Sequence, residues 1–118
     1  GNTFKEKINQ DHEHFNPLFK QGSFGISLDD FVFLYRNTFP NHVKIDVDGN
    51  EHRVIDGMTR VMKDDRLKTI AIEINTILPE SNQLIKKIEQ NGFERSLDYR
   101  NEEYEKSGVI NCFFKKNN

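Results

Sequence analysis

The sequence predicts an α/β protein in which parallel strands are joined by crossover helices and the chain closes with an antiparallel hairpin. Three observations carry this. Residues 42–47 and 69–74 alternate apolar and polar side chains at strand period, and between them Val54, Ile55, Met58, Val61 and Met62 recur at helical spacing. The last two strand-like runs, by contrast, have no helix between them. Strands alternating with helices of this length imply right-handed crossovers and parallel pairing, whereas two consecutive runs pair as a hairpin at one edge.

The first 25 residues are rich in Asn, Gln, His, Lys and Gly, with Phe4, Phe15, Phe19 and Phe24 at no clear period. They read as an N-terminal arm or loop, followed by the α/β part at 26–118. Ser27-Leu28-Asp29-Asp30 has the spacing of a capping box ahead of Phe31, Leu34 and Tyr35, which predicts a helix of about three turns ending near residues 37–40. In the first strand Val43, Ile45 and Val47 share one face and Lys44 and Asp46 the other, and Gly49 follows at a tight turn. Asp48 and Glu51 form a second capping box by spacing, opening a single helix through Met62. Ile70, Ile72 and Ile74 then mark the second strand, and Leu84, Ile85 and Ile88 a helix over 81–90 that stops at Asn91-Gly92. Residues 93–99 and 109–114 are the two strands of the hairpin, linked by a charged connection containing Gly108.

Bulk composition narrows the function classes. Seventeen Lys and Arg stand against nineteen Asp and Glu, a formal charge of -2, so no global field points to nucleic acid or an anionic membrane. The one cysteine, Cys112, excludes an intrachain disulfide and a cysteine-based zinc site. With no leader pattern and no apolar run near the roughly 18 residues of a membrane span, the expectation is a soluble, cytoplasmic protein. His12, Glu13 and His14 have the spacing of an extended metal-binding segment, yet no third ligand is identifiable, so they read as solvated loop and no metal site is assigned. The Phe residues read as core, because basic residues are not interleaved with them as on a base-stacking platform.

The stretch with most chemistry is Val43-Lys44-Ile45-Asp46-Val47-Asp48-Gly49-Asn50-Glu51, three carboxylates within six residues at a strand's carboxyl end. Ligands of open α/β sheets bind beyond strand carboxyl ends, and Glu73 and Asn75 close the next strand at the same level. A calcium loop would use Asp46, Asp48 and Asn50, but its glycine position falls on Glu51 and its bidentate glutamate position on Gly57. Asp46-Val47-Asp48-Gly49 also resembles the first motif of haloacid dehalogenase-type phosphatases, with Asp46 as nucleophile and Asp48 as acid/base. Asn50 stands where that family has Thr, and no later acid pair closes a further parallel strand.

A third reading uses the whole segment. Residues 43–51, then Val54-Ile55-Asp56-Gly57, then Ile70-Ala71-Ile72-Glu73-Ile74, then Asn91-Gly92-Phe93, resemble in order and spacing the motifs of FkbM-type methyltransferases. Leu28-Asp29 resembles the Leu-Asp that the family places before that strand, and the resemblance runs from about residue 26 to 114. Asp48 stands where the family usually has Glu, and Asn50 where it usually has Ala. The resemblance implies a partial Rossmann-like class I methyltransferase fold, of which this chain supplies the fourth strand onward of seven. It also implies S-adenosylmethionine as cofactor and an oxygen acceptor on a sugar or another small metabolite.

The family's glycine-rich turn that holds the cofactor has no counterpart before Ser27; Gly22-Ser23-Phe24-Gly25 follows no strand and reads as loop. The expectation is that the first three strands lie upstream of Gly1 and that this chain alone does not bind the cofactor. The resemblance assigns catalytic roles to Asp46 and Glu73 and acceptor binding to Asp48 and Asn75. Each has a plainer reading. Asp46 and Glu73 are also ion-pair partners for Lys44, and Asp48 and Glu51 are accounted for by helix capping. A strand whose usual neighbour is missing leaves an exposed edge, which predicts homo-oligomerisation there or a non-catalytic dimerisation or partner-binding module.

Overall fold

The computed structural model describes residues 25–47, 49–99 and 107–117. Most of the N-terminal arm, with His12, Glu13 and His14, lies outside them, as does Asp48; the helix expected from the Asp48–Glu51 capping box starts instead at Glu51, with Asn50 as its N-cap. Four strands, β1 (His42–Ile45), β2 (Thr69–Asn75), β3 (Phe93–Tyr99) and β4 (Val109–Lys116), form one sheet in the order β1-β2-β4-β3. β1 and β2 are parallel, and β4 runs antiparallel to both β2 and β3, so the C-terminal hairpin turns its second strand inward to pair with β2. The pairing predicted from the absence of a helix between the last two runs is the pairing found. A register shift between Arg95 and Leu97 puts a bulge into β3.

Alternation along the strands places the core. Ile70, Ile72 and Ile74 of β2 are buried and lie opposite Phe114, Cys112 and Ile110 of β4, while Val43 and Ile45 of β1 pair with Ile70 and Ile72. Ile55, Val61, Met62, Leu84 and Ile88 from the helices join these side chains in one cluster with Met58, Leu67 and Phe93. β-branched residues at every second position explain why these segments are strands, since they fit a pleated, half-buried surface.

The helical segments are α1 (Asp30–Leu34), α2 (Glu51–Asp56), α3 (Thr59–Lys63) and α4 (Glu80–Gln90). α4 buries Leu84 and Ile88, a spacing of four that keeps both on one face. It stops where Gly92 takes a φ of 87°, with the Gly92 N–H donating to the Glu89 carbonyl at 3.0 Å.

Two helices depart from expectation. α1 is a single wide turn, closed by the Tyr35 N–H donating to the Asp30 carbonyl five residues back at 2.9 Å. Arg36 then enters the left-handed region at φ 56°, and Asn37 donates from its side chain to the Phe31 carbonyl, so the helix cannot run to residue 37. The single helix predicted through Met62 is broken into α2 and α3 at Gly57 and Met58. The cause lies just before α1: the Gly57 carbonyl accepts the Asp29 N–H at 2.9 Å instead of a partner further along its own helix. A Cβ on Gly57 would stand 2.9 Å from the Ser27 Cβ, so only glycine allows the two segments this close.

Candidate functional site at the strand carboxyl ends

β2 ends at Asn75, and beyond it a cleft of about 690 Å³ opens between α2 and α4. Its lining draws Gly49, Glu51, His52 and Asp56 from the β1-to-α2 side and Glu73, Ile74 and Asn75 from β2. Leu78, Glu80, Ser81, Gln83, Leu84 and Lys87 complete it from α4 and the loop before it, with Val109 from β4. The crossover that makes β1 and β2 parallel is what gathers these pieces, because parallel strands start their following helices at the same end of the sheet.

Asn75 is engaged by the loop it begins. Its Oδ1 accepts the Ile77 N–H at 3.1 Å, and its carbonyl accepts the Ser81 hydroxyl at the start of α4. These two bonds set the path from β2 into α4 and leave the side-chain NH2 as the group Asn75 can offer a ligand. Thr76 fastens the same loop to the last strand, its N–H donating to the Gly108 carbonyl at 2.7 Å and its hydroxyl to the same oxygen. Across the cleft, the Lys87 ammonium of α4 makes an ion pair with the Asp56 carboxylate of α2.

Of the four residues singled out in the sequence, the cleft brings two together, Glu73 and Asn75. Asp46 lies elsewhere. It borders a shallower groove of about 520 Å³ along β1, with Ile26, Leu28, Phe31, Val43 and Val54. Asp48 lies outside the described residues. Glu51, His52, Asp56, Glu80 and Lys87 join the cleft without having been singled out for it. The start of a helix directly after a strand was a signal for Glu51 and His52. Asp56 and Lys87, 31 residues apart on different helices, had none.

Away from the cleft, charged contacts fasten the segments that lead into β1 and β2. Asp64, after α3, accepts from the Arg66 guanidinium at 3.0 and 2.8 Å and from the Arg66 N–H, which holds its carboxyl at about 2. Arg66 also stacks 3.9 Å from the centre of the Phe39 ring, ahead of β1, and Arg60 lies 4.0 Å from that of Phe33. Burial lowers the Lys116 pKa; its ammonium lies over the Phe93 ring and donates to the Met62 carbonyl at the end of α3.

With this geometry in view, comparison with known proteins identifies the family. The family model described as the methyltransferase FkbM domain matches residues 23–100. The chain belongs to the FkbM methyltransferase family. The match spans β1, β2 and α4 and ends just past β3, so every residue that lines the cleft except Val109 lies within the matched segment. Neither a curated protein nor a solved structure matches the chain. Among the described residues no helix is long and apolar enough to cross a membrane.

Proposed function

We propose that this chain is the acceptor side of an O-methyltransferase domain, in which the cleft beyond β2 receives a small hydroxyl compound, such as a sugar, for methylation by S-adenosylmethionine. One observation carries the reading: in a chain of a methyltransferase family, Glu73 and Asn75 end a central strand inside a cleft large enough for a small metabolite. In this reading Glu73 accepts the proton, or a hydrogen bond, of the acceptor hydroxyl, and the Asn75 amide orients it through its NH2. Asp46, in the groove along β1, supports acceptor or cofactor from that side. Methyl transfer asks mainly that nucleophile and donor be held in line, so positioning is the larger part of what these residues do.

The described residues do not by themselves fit the cofactor. Its carboxylate needs a glycine-rich turn that lets backbone amides approach. Among the described glycines Gly57 backs onto Ser27, Gly108 onto Ile77 and Gly92 follows α4, while Gly49, which lines the cleft, stands singly between β1 and α2. The proposed cofactor-holding strands join the sheet at β1, which ends the strand order on that side. The groove at that edge carries exposed Ile26, Phe31 and Val47, apolar surface of the kind a further layer covers.

Labelled methyl transfer tests the reading. The natural full-length protein is incubated with S-adenosylmethionine labelled in its methyl group and a panel of sugars and small alcohols. Label recovered as a methyl ether supports it; label that reaches no hydroxyl compound in the panel overturns it.

The open β1 edge also favours a second reading, a non-catalytic α/β module that pairs through this edge with another copy or another protein. Sedimentation equilibrium separates the two. A monomer at micromolar concentration argues against pairing, and a dimer that transfers no methyl group argues for it.

A further inference from the structure

The lining of the cleft carries information about its occupant beyond size. Lys87 is the one lysine or arginine among the lining residues, and its ammonium is already held by Asp56. Against that neutral pair, Glu51 at the start of α2 and Glu80 at the start of α4 face the same space, with Glu73 at the end of β2. The rest of the lining is mixed: Ile74, Leu78, Leu84 and Val109 supply apolar surface beside the polar His52, Asn75, Ser81 and Gln83. A phosphate or carboxylate entering this space would meet carboxylates on both helices and find no free lysine or arginine in the lining. An ammonium group would meet complementary charge from either side.

We infer that the acceptor is a hydroxyl compound bearing a protonated amine, an amino sugar or amino alcohol, and that Glu51 and Glu80 select it against neutral and anionic acceptors. The inference rests on the acceptor-cleft reading above and gives it a substrate class. Glu51 and Glu80 act as specificity residues, not as catalytic ones: they hold the ammonium, while the hydroxyl lies toward Glu73 and the apolar carbons lie along Leu78 and Leu84. The ammonium–carboxylate contact is partly open to solvent, so it supplies a preference on the order of tenfold and one that salt weakens.

A competition assay decides it. The natural full-length protein receives labelled S-adenosylmethionine with equimolar glucosamine, glucose and glucose 6-phosphate, and the methylated products are separated. The expected result is product from glucosamine in roughly tenfold excess over that from glucose, with least from glucose 6-phosphate. The excess should fall in the double variant Glu51→Gln/Glu80→Gln and in 0.5 M salt, through a rise in KM for glucosamine that exceeds any change in KM for glucose. Equal methylation of glucosamine and glucose, or a preference for the phosphate, overturns the amine inference and leaves the methyltransferase reading standing. An excess that persists unchanged in the double variant also overturns it. If none of the three accepts label while an alcohol without an amine does, the amine inference fails alone; if no alcohol does, both fail.

Discussion

Asp29 and Val61, 32 residues apart, are joined by a 2.9 Å hydrogen bond in which the Val61 backbone N–H donates to the Asp29 carboxylate. The Arg60 N–H donates to the other carboxylate oxygen at 3.0 Å, so one side chain beside α1 satisfies two first-turn amides of α3. Met58, the residue that precedes α3, supplies no side-chain cap of its own. This gives the Leu28-Asp29 pair a physical role: it fastens the segment before β1 to the crossover between β1 and β2. Asp29→Ala should cost about 1–2 kcal/mol, the range for losing a helix cap with partly buried donors left over. Urea denaturation checks it through the midpoint; a change within experimental error would mean that water replaces the carboxylate without loss.

Gly57 meets the same segment from below. An added Cβ would sit 2.9 Å from the Ser27 Cβ, so Gly57→Ala should displace residues 27–29 and destabilise the fold by about 1–3 kcal/mol. The mechanism is a steric conflict with one partner, which makes it testable by a double-mutant cycle. Ser27→Gly removes that partner, and in its background Gly57→Ala should cost at least about 1 kcal/mol less. Additive effects would place the strain elsewhere.

The contrast between what was legible and what was not follows from how far apart the causes lie in the chain. β2, α4 and the hairpin of β3 and β4 were legible because their signals are local: alternation in residues 69–74, a spacing of four in Leu84 and Ile88, a glycine stop at Gly92. The break between α2 and α3 was not, because continuous apolar spacing runs through Gly57 and the interruption comes from Ser27 and Asp29. In the cleft, Glu73 and Asn75 were legible from the rule that ligands gather at strand carboxyl ends. Asp46 obeys the same rule in sequence but follows an edge strand, and it borders the groove along β1 instead. The Asp56–Lys87 pair exists only once two helices have packed, and no spacing announces it.

Asp64 offers a pH test of the local geometry. Its carboxyl is held at about 2 against an ordinary 3.8, first by the Arg66 side chain and then by the Arg66 backbone N–H. A depressed folded-state value means that the contribution to stability is fully present above pH 3.8 and is lost as pH falls through about 2. Carboxyl carbon shifts followed by NMR should show Asp64 titrating near the low end of that window, and Arg66→Ala should return it toward 3.8. An Asp64 midpoint unmoved by Arg66→Ala would show that the pair does not form in solution. Because the pair is exposed, its effect belongs in the titration and not in a large stability change.

Glu73 and Asn75 adjoin the same cleft but should fail differently when altered. If Glu73 takes the acceptor proton, Glu73→Gln keeps the shape and removes the base, so kcat should fall by roughly 10²–10⁴ while KM changes little. Asn75 is already committed through Oδ1 to the Ile77 N–H, so Asn75→Ala loosens the loop into α4 as well as removing the NH2. That variant should raise KM by roughly tenfold, the scale of one lost hydrogen bond, and lower the melting temperature as well. Asn75→Asp separates the two effects, because its carboxylate still accepts from Ile77 and preserves the turn while the NH2 donor is gone. A near-wild-type melting temperature with raised KM in Asn75→Asp would place the amide against the acceptor. Full recovery of both would reduce Asn75 to a turn residue and leave Glu73 as the group of the two that the acceptor meets.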